Sequence, residues 1–264
     1  MRTFKVIGAL LCLAFASSAH ASLTAADGGL GVYDSVSNVT WTANGSLFST
    51  QLASNAGLVN TIIADWGGQA FPYPDSSQHV LSASDFTTVS ANGYPPAGTM
   101  TWWGALAWVN YLNDTAYGGH TNWRLPSTVS DAAQSSSGFP DGAPGDPAVG
   151  SSEMAQLFYG ELGMKANISL SSCSISSSCP GARVFFNNLH DYSYWSGTQN
   201  NAGVSAWGFS TLTGHQGNNG KPFYSYVLAV SPNEITAVPL PASAWLLLSG
   251  ILAFAGAKRR TVSL

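Results

Sequence analysis

Thr101-Trp102-Trp103-Gly104-Ala105-Leu106-Ala107-Trp108-Val109-Asn110-Tyr111-Leu112 is the stretch whose reading decides the fold, together with Asn122-Trp123-Arg124-Leu125-Pro126-Ser127 just after it. Thr101 is an N-cap residue, and Trp102, Leu106 and Val109 then fall on one face of a helix running to Leu112. The second segment must leave helical geometry, because Pro126 disfavours the α region at Leu125. A buried helix followed by an extended segment is therefore the expected centre of the domain.

Working outward, Gly31-Val32-Tyr33-Asp34-Ser35 and Asn38-Val39-Thr40-Trp41-Thr42 read as an opening strand pair. Leu58, Val59, Ile62 and Ile63 recur at helical spacing within 52–66, and Gly67-Gly68 ends that helix. Residues 69–98 and 130–150 read as loops from their Pro, Gly and Ser content. Ser151 or Ser152 caps a third helix with Met154, Leu157, Phe158 and Leu162 on one face, and Gly163 stops it. The rest turns β-rich, with strands expected at 183–186, 192–196, 206–211 and 224–230 and a turn at Gly217-Asn218-Asn219-Gly220. Strands, helices, then several antiparallel strands make an α+β domain.

Trp102 to Trp108, Asn122 to Ser127 and Tyr194-Trp195-Ser196-Gly197-Thr198, with Ala206-Trp207-Gly208-Phe209 beyond them, together resemble the Lcl C-terminal-domain family. The resemblance runs from about Gly31 to Val230. It implies a C-type-lectin-like fold related to the formylglycine-generating-enzyme fold: a twisted antiparallel sheet with flanking helices and long loops. The family's founding example binds sulfated glycosaminoglycans through a basic surface. This chain departs there, and at its last strand Ala229-Val230-Ser231-Pro232 replaces a common Arg-Pro-Gly stretch.

Both ends read as targeting segments. Arg2 and Lys5, the apolar run Val6–Phe15 and Ala19-His20-Ala21 form a signal peptide over 1–21. At the other end, Val238-Pro239-Leu240-Pro241-Ala242, an uncharged run to Ala257 and Lys258-Arg259-Arg260 resemble a PEP-CTERM sorting signal over 238–264, in its Val-Pro-Leu-Pro-Ala form. That resemblance implies passage through the inner membrane of a Gram-negative bacterium that makes exopolysaccharide. An exosortase-type protease would process the chain, which then reaches the cell surface or medium. A permanent single-span anchor is the alternative. The domain is then 22–237.

That domain keeps only Arg124, Lys165, Arg183 and Lys221 against all thirteen acidic residues, a formal charge of −9. The balance argues against nucleic acid and against polyanionic glycans, both of which need basic grooves. Charged residues are only 8% of the chain, so hydroxyls and amides must keep the surface soluble, as suits a protein among neutral polymers. Cys12 leaves with the signal peptide, and Cys173 and Cys179 in an oxidising compartment read as a disulfide rather than a metal or redox pair.

Arg124 sits in an apolar motif and needs a carboxylate partner, with Glu153 and Asp191 the candidates for a structural pair. Tyr192, Tyr194, Trp195 and Trp207, with His215 beside Asn218 and Asn219, are the candidate sugar-binding residues. Most aromatic side chains belong to the core, so one or two of the nine tryptophans are expected at a binding face. His190-Asp191-Tyr192 is a further polar trio, but neither Gly-x-Ser-x-Gly nor His-Glu-x-x-His occurs, and no catalytic residue is assigned. Asp131, Asp141 and Asp146 match no calcium-loop spacing, so no metal or cofactor is assigned. The expectation is a non-enzymatic surface or matrix protein that binds extracellular polysaccharide. The alternatives are a structural matrix component without a discrete ligand, or a glycan hydrolase.

Overall fold

Asp34 shows how the first hairpin closes. Its Oδ1 accepts the amides of Val36 and Ser37 at 2.9 and 3.1 Å, and its Oδ2 takes the Trp41 indole N–H at 3.4 Å. The turn so fixed joins β2 (Gly31–Asp34) to β3 (Val39–Thr42), and β1 (Leu23–Ala26) lies on the other side of β2. The computed structural model describes residues 23–67, 79–90, 92–128, 152–172, 185–200 and 203–233. The chain divides between Pro232 and Asn233, and the first part is the domain considered below. The signal peptide, Cys173 and Cys179, the loop with Asp131, Asp141 and Asp146, Arg183 and the motif 238–242 lie outside the described residues.

The helix expected over 52–66 is two helices, α1 (Leu47–Ser54) and α2 (Leu58–Trp66). Asn55 separates them in an extended conformation, and its Oδ1 accepts the Gly57 amide at 3.0 Å. Such a local side-chain bond competes with helix continuation. Gly67 closes α2 at φ 66, where a residue without Cβ is favoured. The third helix, α3 (Trp102–Asp114), starts at Thr101, whose hydroxyl accepts the Gly104 amide at 3.2 Å. The fourth, α4, begins as an α turn over Glu153–Ala155, capped by Ser152, and widens into a π turn over Gln156–Glu161.

A second antiparallel sheet follows, with β4 (Ser193–Gln199), β5 (Ser205–Ser210) and β6 (Gln216–Gly220) in that order. Here one expectation is corrected: Gly217-Asn218-Asn219-Gly220 is not a turn. It pairs along β5 from Gly208 to Ser205, so ladder hydrogen bonds outweigh its poor strand propensity. The turn lies upstream, where Gly214 has φ 78. The last strand, β7 (Val230–Pro232), pairs with β3 and completes a four-stranded antiparallel sheet in the order β1-β2-β3-β7. The fold is α+β.

The expected strand 224–230 is extended but belongs to no single ladder, because it changes partners along its length. Ser225 exchanges two backbone hydrogen bonds of 3.0 Å with Met100. Tyr226 bonds Ser193 and Trp195, Ala229 accepts the Thr42 amide, and Val230 exchanges bonds of 2.8 and 2.9 Å with Arg124. Its side chains alternate between two cores, as the period of an extended chain requires. Val227 and Ala229 join α1, α2 and α3 with Trp123 and Trp195. Tyr226, Leu228 and Val230 join β1 to β3, α4 and Phe209. Tyr194 and Trp195 divide between the same two cores one residue apart.

Two tryptophans tie the layers by their indole N–H groups: Trp102 donates to the Ser196 carbonyl and Trp195 to the Met100 carbonyl, both at 2.9 Å. Among the described residues no helix is long and apolar enough to cross a membrane. Leu228 is fully buried in the second core. Leu228→Ala should therefore cost about 2–5 kcal/mol by lost burial and a residual cavity. Chemical denaturation of the purified protein checks this, and a cost below about 1 kcal/mol would show a site that collapses freely.

Candidate functional site

The second sheet builds a groove. Register places Ser193 opposite Ser210, Trp195 opposite Gly208, Gly208 opposite Gly217, and Ala206 opposite Asn219. These residues therefore share one face of the sheet. Trp195 and Ala206 are roofed by the helical core. Beyond them the face is open, and its floor is Ser193, Gly208, Ser210, Gly217 and Asn219. The Gly208–Gly217 pair keeps the floor low: a Cβ on Gly208 would lie 2.7 Å from Asn219 Nδ2. The cavity measures about 440 Å³, within the range of small-ligand sites.

Aromatic and polar walls rise from neighbouring segments. Phe223 is 53% exposed, a large ring left in water. Tyr224 is half-buried and held in place by its hydroxyl, which donates to the Ser84 carbonyl at 2.6 Å. Tyr192 is also half-buried, and its phenol is pushed up to about 12 by burial first and by its hydrogen bond to the Tyr94 hydroxyl second. It stays neutral at any physiological pH and works as a ring with a hydroxyl. Asp191 is oriented by the Ser171 amide, which donates to its Oδ1 at 2.9 Å, and is the one carboxylate among the described lining residues. His215 and Asn218 complete the wall.

The structure thus divides the candidate sugar-binding residues. Tyr192 and His215 line the groove. Tyr194, Trp195 and Trp207 do not offer ring faces to solvent, which corrects their assignment: they are 0%, 0% and 2% exposed. Tyr194 lies between a 2.9 Å bond from the His190 amide and a 3.4 Å bond to the Gly45 carbonyl. Trp195 and Tyr194 fill the two cores, and for all three rings burial is worth more than a place at the surface. Phe223 and Tyr224 were not singled out as ligand residues. The signal available was their place a few residues after Asn218-Asn219-Gly220, which only the strand pairing turns toward the floor.

The polar trio also separates. His190 stacks on Tyr226 at 4.3 Å, and its pKa is lowered by burial despite the neighbouring Asp191 charge. It is a packed neutral ring rather than part of the groove. Among the described residues no three His, Cys, Asp or Glu side chains gather to hold a metal ion.

Arg124 meets Glu153, not Asp191. Its two terminal nitrogens reach Oε2 and Oε1 at 2.7 Å each, and the Ser127 amide adds a bond of 2.6 Å to Oε2. Burial raises the Glu153 pKa, but the Arg124 bond, the Ser127 amide and the Arg124 charge outweigh it, so the net shift is downward. The pair joins the segment after α3 to the start of α4 (Glu153 N–H to Ser127 carbonyl, 3.1 Å). No protein-family model, no curated protein and no solved structure matches this chain.

Arg124 is 38% and Glu153 15% exposed on their side chains, so solvent screens the pair on one side. Arg124→Ala should cost roughly 1–3 kcal/mol, chiefly by leaving Glu153 half-satisfied in a half-buried position. Arg124→Lys should recover part of that, because an ammonium cannot match both oxygens. A carboxylate with a depressed folded pKa contributes fully above its unfolded value of ~4.3 and loses the contribution as pH falls through the folded value. Thermal melts of Glu153→Gln against wild type between pH 3 and 7 should therefore converge at the acid end. Parallel melting curves across that range would refute the assignment.

Proposed function

We propose that this chain is an exported surface or matrix protein whose domain binds extracellular polysaccharide without transforming it. The observation that carries the reading is the groove on β4, β5 and β6. Its floor is serines, glycines and an amide, and its walls hold an exposed phenylalanine and two tyrosines. Sugars present flat C–H faces and rings of hydroxyls, and this lining offers rings for the first and amide, hydroxyl and imidazole groups for the second. No lysine or arginine is among the described lining residues, in keeping with the −9 charge of the domain and with a ligand that is neutral at this site.

The Lcl C-terminal-domain resemblance supports the same reading, as does the mixed architecture of antiparallel sheets flanked by helices and long connections, in keeping with a C-type-lectin-like fold. The signal-peptide and PEP-CTERM-type patterns support export, processing by an exosortase-type protease and a place at the cell surface of a Gram-negative bacterium. A hydrolase would need two carboxyl groups roughly 5–9.5 Å apart across the scissile bond. Asp191 stands without a second carboxylate among the described residues of the groove.

Titration calorimetry of the purified full chain against neutral oligosaccharides of four to six units tests the proposal. Binding should be present in wild type and roughly tenfold weaker in Phe223→Ala, which removes about 1.4 kcal/mol of ring contact, with the melting temperature unchanged. Gly208→Ala should weaken it too, because the new Cβ displaces Asn219 from the floor. Absence of binding to any neutral oligosaccharide would favour a matrix component without a discrete ligand. Binding that Phe223→Ala leaves intact would place the sugar elsewhere.

A further inference from the structure

A guanidinium has five N–H donors in a planar fork. Arg124 uses three of them: Nη1 donates to Glu153 Oε2 at 2.7 Å and to the Leu125 carbonyl at 3.1 Å, and Nη2 donates to Glu153 Oε1 at 2.7 Å. The donors that remain are Nε–H and the second Nη2–H. They lie side by side on the same edge of the group, and no acceptor among the described residues takes them. That edge is a complete bidentate fork, held in place because the adjoining Nη1–Nη2 edge is locked to the half-buried Glu153 carboxylate.

Arg124 lines a cavity of about 490 Å³ on the far edge of β7 from β3, between α3 and the irregular stretch of β4 at Gly197. Its other walls are mixed. Trp66, Leu106, Val109 and Leu125 supply apolar surface, and Asn110 supplies an amide. Gly197 approaches this wall with no side chain, and a Cβ there would lie 3.3 Å from that of Leu125. None of the residues lining the groove of the second sheet lines this cavity.

We propose that this cavity is a second binding site, specific for a carboxylate-bearing sugar such as a uronic-acid residue. The carboxylate would sit on the open Nε–Nη2 edge of Arg124, and the pyranose would pack against Trp66 and the aliphatic wall. The chemistry decides the class. Two oxygens on one carbon match an arginine edge bidentately, whereas single hydroxyls do not. Glu153 already neutralises the guanidinium charge, and the domain carries −9. The site therefore selects one well-placed carboxylate rather than a dense polyanion, whose remaining charges the surrounding field would repel. An acidic sugar spaced along a largely neutral polymer satisfies both this site and the groove.

The experiment is a tryptophan-fluorescence titration of the full chain with a monouronate oligosaccharide, its methyl ester and acetate. The uronate should bind, and the ester at least tenfold more weakly, because esterification removes the charge and blocks one oxygen. Acetate should bind more weakly than the uronate, since it lacks the ring that meets Trp66. Arg124→Lys, which keeps the charge but loses the fork, should weaken the uronate at least tenfold. Asn110→Trp, which fills the cavity without touching the Arg124–Glu153 pair, should abolish binding with the fold intact. The preference for acid over ester should persist in Phe223→Ala, which separates this site from the groove. Equal affinity for acid and ester, acetate binding as tightly as the uronate, full affinity in Asn110→Trp, or loss of the acid-over-ester preference in Phe223→Ala would each overturn the proposal.

Discussion

Seven consecutive residues, Ser225 to Ser231, are buried, so their backbone N–H and C=O groups need partners inside the protein. An unmet buried group costs about 1–3 kcal/mol, and a run of them would be unaffordable in a domain of ordinary stability. Ser225, Tyr226, Ala229 and Val230 meet that demand by touching four segments in turn: Met100 ahead of α3, β4, β3 and the extended segment at Arg124. Each of those segments is distant in sequence, so the run can form its bonds only when the whole domain is assembled. Side-chain alternation adds the second constraint, since the same residues must fill two cores at once.

Both candidate sites depend on that run. Tyr226 bonds to Ser193 and Trp195 and so fixes β4, the strand at one side of the groove floor. Val230 bonds to Arg124 and so fixes the guanidinium at the second cavity. The floor of the groove stays empty for a complementary reason. Trp195, opposite Gly208, turns into the helical core, and the Gly208–Gly217 pair beside it has nothing to put in the space. The rigid parts are therefore apolar and shared, and the open parts are lined by residues too small or too polar to be drawn inside.

Much of the fold was legible because its signals are local. Thr101 caps α3, Ser152 caps α4 and Gly67 closes α2 where spacing and residue type place them. The break at Asn55 was missed because the apolar period runs across it, and only the bond from Gly57 to its side chain shows the interruption. The sites were less legible. Tyr194, Trp195 and Trp207 read as binding aromatics because composition cannot tell a ring facing water from a buried one. Phe223 and the Gly208–Gly217 floor were invisible, since they arise from register between β5 and β6 in a segment whose own composition points to a turn. The need of Arg124 for a carboxylate follows from charge burial alone, but the choice of Glu153 over Asp191 follows from where α4 begins.

Native-state hydrogen exchange on the full chain tests the central dependence most directly. The amides of Ser225, Tyr226 and Val230 donate within the run, and those of Thr42, Arg124 and Trp195 are tied into it from the neighbouring segments. All six should exchange only through global unfolding, with one common free energy equal to that from denaturant melts. Exchange of the Tyr226 and Val230 amides at a clearly lower opening free energy, while Thr42 and Trp195 stay protected, would show that the domain holds together without this run.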